Sequence, residues 1–105
     1  MKEKLQKIIE ACEEKIAKDV VAVELDSQRA LADYFVIATG NTPNQTQSII
    51  DEVEDVCAEE GYEIIGKEGY QDGHWILLDL NDIIVHVFTP EERDYYDLER
   101  LWSNK

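Results

Sequence analysis

The sequence has 105 residues, of which 44% are hydrophobic, and its 24 acidic against 10 basic residues give a formal net charge of −14. This size and composition predict one globular domain over residues 1–105 and exclude a disordered chain. The charge argues against direct binding to nucleic acid or to an anionic membrane surface, because both need a cationic patch. No apolar run approaches the ~18 residues of a transmembrane helix.

The amino terminus and the cysteines favour a cytoplasmic protein. The first 19 residues carry charges throughout and have neither the apolar segment nor the cleavage site of a secretory signal. Cys12 and Cys57 lie among aliphatic residues at helical spacing, which is typical of buried thiols in a reducing compartment. Two cysteines and two distant histidines do not make a structural zinc set. We therefore predict no metal and no other cofactor.

The first half of the chain predicts a helix, two strands and a second helix. An apolar stripe at helical spacing marks the first helix; its members are Leu5, Ile8, Ile9, Cys12 and Ile16. β-Branched residues predict a strand over residues 20–25, and a loop over 26–32 leads to a strand at 33–39. That second strand is apolar on both faces and is predicted to be central. Thr42-Pro43-Asn44-Gln45 is a capping box that opens a helix, and Gly61 ends it.

The second half predicts a third strand at residues 62–67, a hairpin at 74–88 and a last helix that reaches about Trp102. The stretch Thr89-Pro90-Glu91-Glu92 repeats the capping pattern at the start of that helix. The element order α-β-β-α-β-β-β-α predicts a single α/β domain with a mixed five-stranded sheet.

The hairpin has two unlike faces. If Asn81 and Asp82 form its turn, one face is purely aliphatic and should meet the helices; it comprises Ile76, Leu78, Leu80, Ile83, Val85 and Val87. The other face pairs Trp75 with Phe88, Leu77 with His86, and Asp79 with Ile84. This mixture is typical of an exposed binding patch with an aromatic anchor, in which Asp79 and His86 are close enough to hydrogen-bond. The alternative is that another part of the chain covers it.

Two segments carry a family resemblance. "DYFVIATGN" (residues 33–41) and "EGYQDGHWILLDLNDIIVHVFTPEERDYYDLERLW" (residues 68–102) resemble the ribosomal silencing factor family, also called Iojap-like proteins. The resemblance implies a nucleotidyltransferase-like topology without the catalytic residues. It also implies binding to the large ribosomal subunit through its fourteenth protein, which blocks joining of the small subunit and lowers translation when nutrients are scarce. Family members are commonly homodimers, so a homodimer is possible here.

The predicted partner contacts lie in the second of these segments. They are Glu68, Tyr70, Trp75, Leu77, Asp79, His86 and Phe88. Glu68 and Tyr70 precede the hairpin in a glycine-flanked connection, where they serve either the turn or the rim of the contact. A basic ribosomal protein as partner would make the acidic charge complementary; without it the charge serves solubility.

An active nucleotidyltransferase is the main alternative function. Such an enzyme needs a Gly-Ser turn for phosphate and alternating strand carboxylates for magnesium. The chain reads Thr39-Gly40-Asn41 after the second strand, and Glu52 and Glu54 alternate inside a predicted helix instead. No Ser or Cys nucleophile accompanies the Asp79 and His86 pair. We therefore assign no catalytic residue.

Overall fold

The computed structural model of the protein describes residues 2–25 and 32–96. Its elements are α1 (Lys2–Glu14), β1 (Lys18–Glu24), β2 (Tyr34–Thr39), α2 (Pro43–Glu60), β3 (Gly66–Glu68), β4 (Trp75–Asp79), β5 (Ile83–Phe88) and α3 (Pro90–Tyr96). The predicted order of helices and strands is confirmed. The predicted loop up to residue 31 and the last helix beyond residue 96 lie outside the described residues.

The five strands form one mixed sheet in the order β1-β2-β5-β4-β3. β2 and β5 are parallel, and the other three pairs of neighbours are antiparallel. The mixed five-stranded sheet is therefore confirmed. β5 occupies its middle, with β2 as an internal neighbour, while β1 and β3 form the two edges.

The main core lies between the sheet and the helices α1 and α2. The six aliphatic residues of the inner hairpin face are each at most 1% exposed, as the sequence predicted. They pack with apolar residues of both helices, including Ile8, Ile49 and Val53. Ile16, predicted to belong to the stripe of the first helix, lies beyond the end of α1 and is 74% exposed. Cys12 and Cys57 are buried and free in this core, and desolvation raises the pKa of their thiols to about 12 and about 11. Both cysteines therefore act as small apolar core residues.

The cap of α2 forms as predicted, but that of α3 does not. The Thr42 hydroxyl accepts from the Gln45 amide at 3.2 Å, and the Gln45 side chain accepts from the Asn41 amide at 2.7 Å. Gly61 ends α2 in the left-handed conformation at φ 77°. At α3 only the backbone carbonyl of Thr89 accepts, from the Arg93 amide at 3.1 Å, and the buried Thr89 hydroxyl has no partner in the described part of the chain. The predicted side-chain cap at Thr89 is therefore wrong.

The third strand begins later than its sequence suggests. It was predicted at residues 62–67 but spans Gly66–Glu68. The amide of Tyr62 still bonds to the carbonyl of Cys57 at 2.9 Å, closing the end of α2, so the chain becomes extended only afterwards. Ile64 and Ile65 consequently lie on the surface, where Ile65 is 54% exposed.

Candidate functional site: the outer face of the sheet

The predicted register of the hairpin is confirmed. Trp75 pairs with Phe88, Leu77 with His86, and Asp79 with Ile84. Because side chains alternate along a strand, these residues share the sheet face opposite α1 and α2, which we call the outer face. The paired registers of the neighbouring strands add further members to it: Val21, Val23, Phe35, Ile37 and Glu68.

Exposure divides the outer face into two parts. On the middle strand β5, His86 is 4% and Phe88 1% exposed, and Phe88 belongs to a second apolar cluster with Phe35, Ile37 and Val23. On β4, Trp75, Leu77 and Asp79 keep part of their surface in solvent. We call these three residues the β4 row. The expectation of one exposed face is therefore wrong for His86 and Phe88, because side chains of the neighbouring strands, Phe35 on β2 and Trp75 on β4, pack against their rings.

Two residues of β5, His86 and Phe88, hold the indole of Trp75 in place. Its Nε1–H donates to Nδ1 of His86 at 3.1 Å. Its ring lies against that of Phe88 with centroids 4.9 Å apart and planes inclined by 30°. His86 in turn makes an edge contact with Phe35 at 4.5 Å between ring centroids. Trp75 is thus a partly exposed aromatic residue that packs on the buried rings of His86 and Phe88, which we call its aromatic base.

His86 is neutral at physiological pH. Desolvation lowers the pKa of its imidazole to about 4, well below its ordinary value of 6.5. Since Nδ1 accepts from Trp75, the proton of the neutral ring lies on Nε2. Nε2 is buried and has no hydrogen-bond partner among the described residues. The edge contact with Phe35 is the geometry in which a ring hydrogen meets an aromatic face.

The expected hydrogen bond between Asp79 and His86 is absent. Oδ1 of Asp79 instead accepts from the Asn81 amide at 2.8 Å, which stabilises the hairpin turn where Asn81 has a φ of 78°. His86 makes its bond to Trp75 instead. Asp79 therefore uses one carboxylate oxygen to hold its own turn. The sequence could not distinguish these pairings, because Trp75 and Asp79 both lie on β4 diagonal to His86, two residues to either side of its direct partner Leu77.

Glu68 and Tyr70 lie on different sides of the sheet. Glu68 pairs with Leu77, so its exposed side chain stands beside the β4 row. The Tyr70 hydroxyl donates to Asp51 of α2 at 2.8 Å, an interaction that raises the pKa of Tyr70. The ammonium of Lys67 lies over the Tyr70 ring, 4.2 Å from its centroid. Tyr70 therefore packs on the helix side and does not reach the outer face.

The connection between β3 and β4 is fastened to α2 by two residues that the sequence pattern does not single out, Thr46 and Gln47. Nε2 of Gln47 donates to the carbonyl of Tyr70 at 2.7 Å, and the Thr46 hydroxyl donates to that of Gly73 at 2.5 Å. Gly69 has a φ of 76°, and a Cβ there would collide with the backbone carbonyl of Trp75. The sequence signal for this connection is its glycines, because a positive φ favours glycine. These contacts fix the point at which β4 begins.

Charge is distributed unevenly over the molecule. α2 contains six carboxylates and no basic residue, and two of them are paired, Glu54 with Lys67 at 2.9 Å and Glu60 with Lys7 at 3.1 Å. On the outer face, β3 and β4 contribute Glu68 and Asp79 and no basic residue. The β4 row is therefore apolar at Trp75 and Leu77 and acidic at Asp79, with the carboxylate of Glu68 beside it.

The described residues contain neither a metal-binding cluster nor a membrane-spanning helix. Within residues 2–25 and 32–96, no three His, Cys, Asp or Glu residues are arranged to hold a metal ion. In the same ranges, no helix has the length and apolar character needed to cross a bilayer. The carboxylates of Glu52 and Glu54 lie on α2, as the sequence predicted.

Known proteins resemble the chain over its whole length. A family model described as "Ribosomal silencing factor during starvation" matches residues 1–105. The chain belongs to the ribosomal silencing factor family. A ribosomal silencing factor of Halalkalibacterium halodurans is 43% identical over 102 residues, which cover 97% of this chain and 87% of that protein.

A solved structure and a more distant relative extend this finding. The crystal structure of protein CV0518 from Chromobacterium violaceum superposes with a TM-score of 0.94 at 34% identity, and the match covers 100% of this chain and 88% of that one. A Mus musculus protein named "Mitochondrial assembly of ribosomal large subunit protein 1" is 25% identical over 92 residues, which cover 83% of this chain and 40% of that protein. The silencing factor fold is thus the fold of this chain.

Proposed function

We propose that this silencing factor is a cytoplasmic, non-enzymatic repressor that binds the large ribosomal subunit through a basic ribosomal protein, the fourteenth. Its docking blocks joining of the small subunit and lowers translation under nutrient limitation. Residues 1–105 act as one domain in this role. The observation that carries the proposal is the β4 row, in which Trp75 stands partly exposed on a buried aromatic base. Membership of the silencing factor family supports the same reading.

The contact surface in this proposal consists of the β4 row and Glu68. At about 3.3 Å per residue, the row runs about 13 Å from Trp75 to Asp79, with Leu77 between them. Glu68 stands beside Leu77 on the neighbouring strand. An apolar centre with carboxylates at its margin fits a partner that presents aliphatic and cationic side chains. His86 and Phe88 pack against Trp75 and hold its ring in this surface. Tyr70 bonds to Asp51 of α2 and so fastens the connection that leads into β4.

The docking surface rests on strands and not on loops. Leu77 and Asp79 pair with residues on both neighbouring strands, and Glu68 pairs with Leu77. Trp75 pairs with Phe88 and is further held by the ring of Phe88 and the hydrogen bond to His86. Less side-chain rotamer freedom is then lost when the partner binds, which lowers the entropic cost of association. This rigidity suits a factor that acts by occupying a site.

An active nucleotidyltransferase would need carboxylates that converge on a magnesium ion. The pair at spacing two, Glu52 and Glu54, lies on α2, where residues two apart point in nearly opposite directions. Asp79 ends β4, whereas Asp82 lies in the hairpin turn and pairs with Lys4 at 2.7 Å. These positions favour a binding protein over an enzyme. A homodimer remains a further prediction.

The test uses separated ribosomal subunits and the purified protein. We expect it to comigrate with large and not small subunits on a sucrose gradient. When both subunits are mixed, it should reduce the assembled-ribosome peak without consuming nucleotide. Unchanged assembly at saturating protein would contradict the proposal. Nucleotide turnover that purifies with the protein would favour the enzyme.

A further inference from the structure

We propose that His86 is a positioning residue: it fixes the indole of Trp75 and takes up its N–H, so that the ribosomal partner recognises the ring by contact alone. The inference rests on the proposed function for its binding readout. The observation that supports it is the hydrogen bond of 3.1 Å from Nε1 of Trp75 to Nδ1 of His86.

Packing alone does not account for an imidazole at this position. Its neighbours Phe35 and Phe88 are aromatic, and other outer-face positions on β2 and β5, Ile37 and Ile84, are filled by isoleucine. His86 is 4% exposed, and its Nε2 finds no hydrogen-bond partner in the described ranges. A buried donor without an acceptor costs stability, which an aliphatic residue would avoid. An imidazole, unlike isoleucine, supplies a hydrogen-bond acceptor for the indole N–H.

The indole N–H is the single hydrogen-bond donor of a tryptophan side chain. With that donor committed to His86, a partner needs no acceptor opposite Nε1. The part of the indole that stays in solvent offers aromatic surface, which suits an aliphatic chain or the cation of a lysine or arginine. The nearby carboxylates of Glu68 and Asp79 favour the cationic choice. We therefore infer that the partner places a basic side chain, and not a polar acceptor, against Trp75.

The contact can be detected directly in the unmodified protein. The chain has two tryptophans, so a ¹⁵N-labelled sample gives two indole N–H signals, and Trp75→Phe identifies which one disappears. We expect a ¹⁵N–¹⁵N coupling through the hydrogen bond between Nε1 of Trp75 and Nδ1 of His86, and slow exchange of that indole proton. A rapidly exchanging indole proton with no coupling would overturn the inference without any substitution.

Two substitutions of His86 then separate positioning from packing. His86→Phe keeps an aromatic ring and removes the acceptor, whereas His86→Asn places an oxygen where Nδ1 lies. We expect the phenylalanine variant to melt no lower than the unmodified protein, to shift the Trp75 signal and to lose about fivefold in affinity for large subunits, the value of one hydrogen bond. The asparagine variant should restore both the signal and the affinity. His74→Phe, at the exposed histidine, should change neither.

Other outcomes would overturn the proposal. A shifted Trp75 signal with unchanged subunit affinity would mean that the indole needs no positioning. Losses of affinity that follow the melting temperature in both variants would mean that His86 serves packing only. If the unmodified protein does not bind large subunits at all, the proposed function fails, while the coupling between Trp75 and His86 still tests the contact itself.

Discussion

The two faces of the β4–β5 hairpin differ in how completely they are buried. On the inner face, six aliphatic side chains from both strands are sealed against α1 and α2. On the outer face, burial falls off from β5 to β4, and the partly exposed strip contains a tryptophan, a leucine and an aspartate. The inner face maximises packing, whereas the outer face keeps apolar surface in water. The difference teaches that β4 serves stability on one side and, in our proposal, recognition on the other.

The largest effect should come from the inner face. Ile76→Ala opens a cavity in the closed core and should cost about 2–5 kcal/mol of the free energy of unfolding. Trp75→Ala, at the neighbouring position, should cost less, because part of that side chain is already in solvent. Thermal melts of the two variants measure the difference. A lower melting temperature for Trp75→Ala would mean that the outer face is also core.

Acid should weaken the outer face through His86. Its folded-state pKa of about 4 lies below the ordinary 6.5, so the unfolded chain binds the proton more readily and stability falls as pH drops through this window. By pH 4 the loss should be about 3 kcal/mol from this residue.

Chemical denaturation between pH 7 and pH 4 measures this loss. The matched control is His86→Phe, which lacks the titrating group but shares the carboxylates that also titrate in acid. Its stability should fall less over the same range. Equal pH dependence in the two proteins would contradict the assignment of His86 as a buried neutral base.

The start of β4 should be sensitive to Gly69. Gly69→Ala combines a φ of 76° with a collision against the carbonyl of Trp75, and we expect a loss of about 1–3 kcal/mol. Gly66→Ala is the control, since a Cβ there has no neighbour within 4 Å. Denaturant melts should separate the two variants. If they are equally stable, the connection does not fix where β4 begins.

The smallest effect should be that of salt. If the acidic residues steer the protein to a basic partner, raising salt should slow association, because exposed charges are screened within about 8 Å at 0.15 M ionic strength. Dissociation, which depends on the apolar contact, should change less. Rapid-mixing kinetics with large subunits measures both rates. An association rate that does not respond to salt would assign the net charge to solubility.

The hairpin register could be predicted from the sequence, but the burial of its outer face could not. The register follows from local features: a two-residue turn at Asn81 and Asp82 and the alternation of side chains. The burial of His86 and Phe88 depends on strand order, which puts β5 in the middle of the sheet. That order is set by pairing between distant segments, and a single sequence gives no direct signal for it. The partner of the Trp75 indole was missed for a different reason, because Trp75 and Asp79 are placed alike, each diagonal to His86, in the predicted register.

Affinity for purified large ribosomal subunits is the most direct test of the account, with Trp75→Ala compared with the unmodified protein. Ile16→Ala is the control, since Ile16 is 74% exposed on the turn after α1, outside the sheet. We predict that Trp75→Ala stays folded and loses about 2–4 kcal/mol of binding free energy, or roughly 30- to 1000-fold in affinity. Ile16→Ala should bind normally. Normal binding by a folded Trp75→Ala variant would contradict the claim that the outer face is the docking surface.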